Sequence, residues 1–433
     1  MSARDTALFA LIACRRQQAW SVGSLKQQIA KDGLDRRDAA LATRLCYGVL
    51  QNRMLLDHWI EAFLRGKLSN LQPVVLDILR LAVYQLRFMD KIPPSAAVNE
   101  AVEQTKRFAN KQAAGLVNGI LRNMLRQSQR FDFPQDLSVR YSHPKEIIAL
   151  LSGAVPQAEL EPLLASHNTW PETALQWNPL RCDPSLAMSE LIQEGITCQP
   201  HPWLEHCFQV TGASVEMLNG YEQGWFYVQD PAARLAVLAA KPEPGMQVLD
   251  CCAAPGGKSF AAGICMQNRG EILSCDIHPH KIRLIQKGAE RLGLSLIHPM
   301  VHDAAAFEPE WEARFDLVIA DVPCSGLGVI RKKPDIRYKP TEALDKLPEI
   351  QRNILKNQSR YVRPGGVLLY CTCTILPREN EDVIHDFLLE HRDYTPEAFR
   401  LPGDLYTADG LLTLYPHKHG TDGFFIAKLR RSL

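Results

Sequence analysis

Val248-Leu249-Asp250-Cys251-Cys252-Ala253-Ala254-Pro255-Gly256-Gly257-Lys258-Ser259 leaves a short apolar strand, crosses a loop of small residues and enters a helix. Small residues and glycines let the backbone pass close to a ligand, with the N–H groups of the helix start facing it. The spacing is not G-x-x-x-x-G-K-[ST], which disfavours a nucleoside triphosphate. The next apolar run ends at Asp276, 18 residues past Lys258. A carboxylate there can accept hydrogen bonds from the ribose hydroxyls of an adenosine-containing cofactor. Either element alone could be a tight turn or a solvated aspartate. In strand–loop–helix–strand order the two together favour a cofactor. Asp303, after the third apolar run, could orient an adenine or equally cap a helix.

The same rhythm continues outward. Apolar runs at Gln247–Leu249, Ile272–Cys275, Leu317–Ala320 and Gly366–Tyr370 alternate with helix-like stretches at Ser259–Met266, Lys281–Leu292, Ile350–Val362 and Glu381–Glu390. Such alternation predicts a mainly parallel sheet with helices on both faces, and ligands at the C-terminal ends of its strands. Two of those ends carry cysteines, in Asp321-Val322-Pro323-Cys324-Ser325-Gly326 and Tyr370-Cys371-Thr372-Cys373-Thr374. A lone cysteine is usually a small buried hydrophobe. Two of them at two strand ends suggest a nucleophile and a helper, since even a small thiolate fraction is strongly nucleophilic.

Toward the N-terminus the pattern changes twice. Residues 1 to about 132 carry apolar positions at helical spacing, and Ala113, Leu116, Val117, Ile120, Leu121 and Met124 share one face. Arg122, Arg126 and Arg130 follow at four-residue steps on another. From about 140 to 235, prolines at 144, 156, 162, 171, 179 and 184 cut the chain into short pieces, some of them β-like. The expected organisation is multidomain: an all-α domain over 1–135, a small α+β connector over 136–235 and an α/β domain over 236–433.

The 433 residues are 46% hydrophobic and 22% charged, which excludes a mainly disordered chain. The net charge of +1 hides an asymmetry: residues 1–130 hold 20 Lys+Arg against 10 Asp+Glu. A basic module that engages polyanions is one reading, and a solvated basic helical surface the other. The 12 cysteines form no framework, the N-terminal stretch does not read as a secretory signal, and no run is long enough to span a membrane. A cytoplasmic protein with free thiols and no metal is expected, with a monomer as default.

Ala253-Ala254-Pro255-Gly256-Gly257-Lys258-Ser259, Asp321-Val322-Pro323-Cys324-Ser325-Gly326 and Tyr370-Cys371-Thr372-Cys373-Thr374, in this order, resemble the RNA (cytosine-5)-methyltransferases. Within that class the chain is similar to the bacterial 16S rRNA methyltransferase B group, the Fmu/Sun family. Pro93–Val102 and Gly115–Arg122 resemble a NusB-like RNA-binding domain. The resemblance implies a Rossmann-like fold for the α/β domain and S-adenosyl-L-methionine as cofactor. It implies Cys252, Ala253, Ala254, Pro255, Gly256, Gly257 and Lys258 around its methionine and ribose parts, Asp276 on the ribose and Asp303 on the adenine. Asp321 would lie between cofactor and cytosine, Cys373 would be the nucleophile, and Cys324 would assist product release. Cys371 stands where serine or alanine is usual, and is expected to be packing. Arg122, Arg126, Arg331, Lys332 and Lys333 would contact 16S ribosomal RNA or a small-subunit assembly intermediate; Arg331–Lys333 could instead help to ionise a cysteine. Three rivals remain: the same chemistry on tRNA, a DNA methyltransferase with Cys324 as nucleophile, and a non-catalytic RNA-binding protein.

Overall fold

Side-chain caps and prolines mark where the N-terminal helices begin. Asp35 accepts a hydrogen bond from the Asp38 amide at 2.8 Å and Asn110 from the Ala113 amide at 2.8 Å, each satisfying a donor that a helix start leaves open. Pro73 and Pro94 occupy first-turn positions, where the missing N–H costs nothing. The computed structural model describes residues 1–17, 21–211 and 215–433. It divides into two compact units, Met1–Trp170 with Ile330–Lys339, and Pro171–Val329 with Pro340–Leu433.

The first unit is helical: α1 (Ala3–Gln17), α2 (Ser21–Asp32), α3 (Arg36–Glu61), α4 (Pro73–Phe88), α5 (Pro94–Phe108), α6 (Lys111–Arg126), α7 (Leu137–Arg140), α8 (Lys145–Ser152) and α9 (Gln157–Ser166). Leu45, Val49, Leu56 and Trp59 of α3 meet Ile78, Leu79 and Ala82 of α4 in a core that also takes Val117, Ile120, Leu121 and Met124 of α6. Each valine, leucine, isoleucine or methionine among them contributes about 1.5–3 kcal/mol on burial. Two sequence expectations fail here. Leu116 is 43% exposed rather than part of the buried face, because it sits one position off the 114, 117, 121 stripe. Arg130 lies beyond α6, in the turn Ser128–Arg130, so it does not continue the row of Arg122 and Arg126.

The segment Ile330–Lys339 completes this unit. Arg337 is fully buried, and its guanidinium donates to the carbonyl oxygens of Gln51, Tyr141, Ser142 and His167 and to Oδ1 of Asn168. Burial pulls its pKa down to about 10. Tyr338 donates to the carbonyls of Leu50 and Ser142, with the Arg53 guanidinium 3.5 Å from its ring centroid.

The stretch 136–235, set out above as one connector, is shared between the units. Its first part forms α7–α9, because Pro144 and Pro156 stand just ahead of helices rather than breaking them. The rest opens the second unit as an antiparallel sheet in the order β2-β3-β1-β4, from β1 (Thr173–Trp177), β2 (Thr197–Pro200), β3 (Cys207–Thr211) and β4 (Phe226–Val228).

The main sheet contains β5 (Gln247–Asp250), β6 (Glu271–Asp276), β7 (Ile297–Val301), β8 (Phe315–Asp321), β9 (Val362–Thr372), β10 (Tyr394–Pro396), β13 (Leu411–Leu414) and β14 (Phe424–Arg431). A separate hairpin pairs β11 (Phe399–Leu401) with β12 (Leu405–Thr407). The order is β10-β14-β9-β8-β5-β6-β7, with β13 also on β14. Strands β5 to β9 are parallel and β14 is antiparallel to β9. Period-two alternation feeds two cores: Val248, Ile272, Leu317 and Leu369 pack on one face, and Leu249, Leu273, Val318 and Leu368 on the other. The strand order reverses between β5 and β8, which opens a crevice at their C-terminal ends.

Candidate active site

At the end of β5, Asp250 is fully buried. Its Oδ2 accepts from Ser259 Oγ at 2.7 Å, and Ser259 Oγ in turn accepts from Ser274 Oγ at 2.8 Å. Burial pushes the Asp250 carboxyl up to about 7, against the Ser259 hydrogen bond and the Lys258 charge. Its other oxygen, Oδ1, is buried with no hydrogen-bond partner among the described residues. The loop Cys251–Gly256 is tied to β6 by Ala253 N donating to the Cys275 carbonyl at 2.7 Å. It turns into the helix Gly257–Cys265 at Gly256, whose φ of 112° and Phe260 ring, 2.4 Å from where a Cβ would stand, exclude a side chain.

Asp276 closes β6, 7% exposed, with Oδ1 accepting from the His278 amide at 3.0 Å and Oδ2 lying 3.6 Å from Lys281 Nζ. Asp303 is exposed and accepts from the Ala305 amide at 2.9 Å, a local turn bond.

Asp321 ends β8, one strand over from Asp250. Lys258 Nζ, from the helix after β5, lies 2.6 Å from its Oδ2. Burial alone would pull the Lys258 ammonium down, but Asp321 holds it above its ordinary value. On the Oδ1 side stands Cys371 Sγ at 3.7 Å, opposite Asp321 in the β8–β9 register. Cys371 was expected only to pack; it is buried in the apolar core and also touches this carboxylate. Burial and Asp321 both push its thiol well up.

Cys324 and Cys373 face each other with 3.2 Å between sulfurs. The first follows β8 and the second follows β9, so the register of two parallel strands brings the thiols together. Gly328 N donates to the Cys373 carbonyl at 3.0 Å, and a Cβ on Gly328 would lie 1.9 Å from the Gly423 carbonyl oxygen. Sharing a hydrogen bond with Cys373, together with burial, raises the Cys324 thiol well above the ordinary range.

Three residues at this site, Glu379, Gln351 and Asn380, carry no motif of their own. Glu379 Oε2 accepts from Ser325 N at 2.8 Å and from Gln351 Nε2 at 2.9 Å. Asn380 Oδ1 accepts from Thr372 Oγ1 at 2.6 Å, and Thr374 Oγ1 accepts from Ser325 Oγ at 2.8 Å. Glu379 and Asn380 stand just ahead of the helix-like stretch Glu381–Glu390, and Gln351 lies within Ile350–Val362, places that give no sign of a site. Arg331, Lys332 and Lys333 belong to the first unit, as Arg122 and Arg126 do. Among the described residues Lys258 is the cation paired with Asp321, as Lys281 is with Asp276.

A family model described as 16S rRNA methyltransferase RsmB/F matches residues 237–430, and one for the NusB family matches residues 1–126. The probable ribosomal RNA small subunit methyltransferase B of Bacillus subtilis (strain 168) is 37% identical over 99% of each chain. Ribosomal RNA small subunit methyltransferase B of Pectobacterium carotovorum is 32% identical over 92% of this chain and 91% of its own. The crystal structure of PH0851 superposes on 98% of each chain with a TM-score of 0.82 and 25% identity. That of NSun6 from Pyrococcus horikoshii with SFG covers 67% of this chain at a TM-score of 0.60 and 21% identity, a likeness of fold. With a NusB-family helical domain ahead of a methyltransferase sheet and near full-length identity to its relatives, the chain belongs to the 16S rRNA methyltransferase RsmB/F family.

Proposed function

We propose that the protein transfers the methyl group of S-adenosyl-L-methionine to C5 of a cytosine in 16S ribosomal RNA, through a covalent bond between Cys373 and C6. The observation that carries this reading is the pair of thiols 3.2 Å apart, beside a carboxylate held by a buried lysine. The names of the small-subunit methyltransferase relatives support ribosomal RNA as substrate. The residues fit the cofactor on chemical grounds: Asp276 offers a carboxylate at a strand end for a ribose diol, and buried Oδ1 of Asp250 is an acceptor awaiting a donor. The loop Cys252–Lys258, Asp276 and Asp303 would hold it, and when bound it supplies an electrophilic methyl group.

Cytosine C5 is too weak a nucleophile by itself. Addition of the Cys373 thiolate to C6 forms an Sγ–C6 bond and makes the ring enamine-like, so that C5 can accept the methyl. Asp321, fixed by Lys258, hydrogen bonds the N3/N4 edge and stabilises charge that develops on addition. A base then takes the C5 proton, the electron pair re-forms the C5–C6 double bond and Cys373 departs as thiolate, a release that Cys324 assists. The base must leave its stack to reach such a pocket. Arg122 and Arg126, both exposed, are suited to phosphates, as are Arg331, Lys332 and Lys333 along the first unit's second segment.

Labelled methyl donor offered to unmodified 16S rRNA, large-subunit rRNA, tRNA and DNA tests the substrate, with the position mapped by bisulfite sequencing. One protected cytosine in 16S rRNA, lost in Cys373→Ala, is the expected result. Cys324→Ala is expected to accumulate an RNA–protein adduct on denaturing gels. An adduct with Cys373→Ala and none with Cys324→Ala would exchange the two roles, and transfer to tRNA alone would overturn the substrate.

A further inference from the structure

Glu379 is fully buried, inside the second unit and outside the residues assigned above to cofactor or cytosine. Its Oε2 takes the amide of Ser325, the residue next to Cys324, and the Gln351 side chain. Gln351 also donates to the Pro323 carbonyl at 2.9 Å, so the peptides on both sides of Cys324 hang on this pair. Oε1 of Glu379 is buried without a hydrogen-bond partner, and no cation pairs with the carboxylate among the described residues. Two N–H donors offset part of the desolvation of this carboxylate, with no cation beside them among the described residues. Its field reaches the Cys324 thiol, one residue from the amide that Oε2 holds.

We propose that Glu379 decides which of the two facing thiols gives up its proton: it keeps Cys324 protonated, so that Cys373 is the thiolate. Glu379 is a positioning residue in this scheme, since it touches the Cys324 loop and not the base. The inference rests on Cys373 and Cys324 being the reacting pair. The thiols are otherwise nearly symmetric, at the ends of adjacent parallel strands and in contact with one another. A device is needed to tell them apart, because like charges this close cannot both form. Cys373, burial, Glu379 and Asp321, in that order, all raise Cys324, with Glu379 acting from behind the loop. Tyr370, whose hydroxyl donates to the Glu379 carbonyl at 2.6 Å, stays neutral because burial holds its proton. The Lys258 charge is engaged by Asp321. Of these groups, Glu379 is the one bonded to Cys324's own neighbour.

The test is alkylation of the full-length native chain with limiting iodoacetamide over a pH series, with labelled Cys324 and Cys373 peptides counted by mass spectrometry. Cys373 is expected to react first as pH rises; Cys324 reacting first would overturn the proposal without any variant. Glu379→Gln can keep both hydrogen bonds while losing the charge, and is expected to raise the Cys324-to-Cys373 label ratio on the order of tenfold. Glu379→Asp, which keeps the charge, should stay within about twofold of native. An unchanged ratio in a folded Glu379→Gln chain would overturn the proposal. The ratio reports protons rather than methyl transfer. If Cys373→Ala proves active, the catalytic reading fails while the ratio still tells whether Glu379 acts on Cys324.

Discussion

Arg337 of the helical unit and Lys258 of the sheet unit are both cations withdrawn from water. Among the described residues Arg337 finds no carboxylate in its shell: its five oxygen partners are four backbone carbonyls and an asparagine side chain, contributed by α3 and the segments around 141 and 167. Lys258 meets one carboxylate, at 2.6 Å, whose side chain stays 30% exposed. A planar guanidinium with five N–H donors can knit together separate stretches of backbone, and it stays charged even when burial lowers its pKa. A lysine ammonium is a point charge, suited to fixing one oxygen of Asp321 while the rest of that carboxylate faces outward. The first cation holds a fold together, and the second aims a functional group.

That contrast can be broken with three variants. Arg337→Ala strands several buried carbonyls and should cost about 3–5 kcal/mol, read by denaturation with hydrogen exchange of α3 as the local probe. Arg337→Lys should recover less than half of this, because three donors on one atom cannot reach all five oxygens. Lys258→Met should instead lower methyl transfer about a hundredfold while costing less than about 2 kcal/mol in stability. If Lys258→Met melts as badly as Arg337→Ala yet transfers normally per folded molecule, the division of labour is wrong.

A subtler effect involves Asp250. Its folded-state pKa near 7 lies above the ordinary carboxylate value, so the protonated form belongs to the folded state. Its stabilising contribution is full below about pH 4 and is lost as pH rises through about 7. Asp250→Asn should therefore melt roughly 2–4 °C or more above native at pH 8 and alongside it at pH 4; a native curve that does not fall relative to the variant would contradict the burial argument. The smallest effect belongs to Cys371→Ala. Its 3.7 Å contact with Asp321 is weak, so transfer should fall within about threefold and stability by about 1 kcal/mol. A much larger loss of transfer would give Cys371 a role that its geometry does not suggest.

The parallel strands were legible because loops, helices and apolar runs repeat in register with Asp250, Asp276, Asp321 and Cys373, each at a strand end or just past one. Local chemistry sufficed for those positions. Arg331–Tyr338 was legible only as a basic stretch, because burying Arg337 needs a shell of carbonyls from residues about 170 to 290 positions away. The prolines at 144 and 156 were misread as breaks, since a proline before a helix and a proline inside a loop look alike in sequence. Glu379 was invisible for a related reason: a glutamate ahead of a helix is ordinary, and its meaning comes from Ser325, 54 residues earlier.

The chain passes between its two units at Trp170, at Val329 and again at Lys339. A ribosome making it at 5–20 residues per second would finish α9 roughly 10–30 s before Arg337 emerges. During that interval the nascent helices carry an unfilled socket, with the carbonyls of Gln51, Tyr141 and Ser142 open to water or to a chaperone. The last stitch of the first unit is thus made during synthesis of the second, so premature termination before codon 337 leaves both halves incomplete.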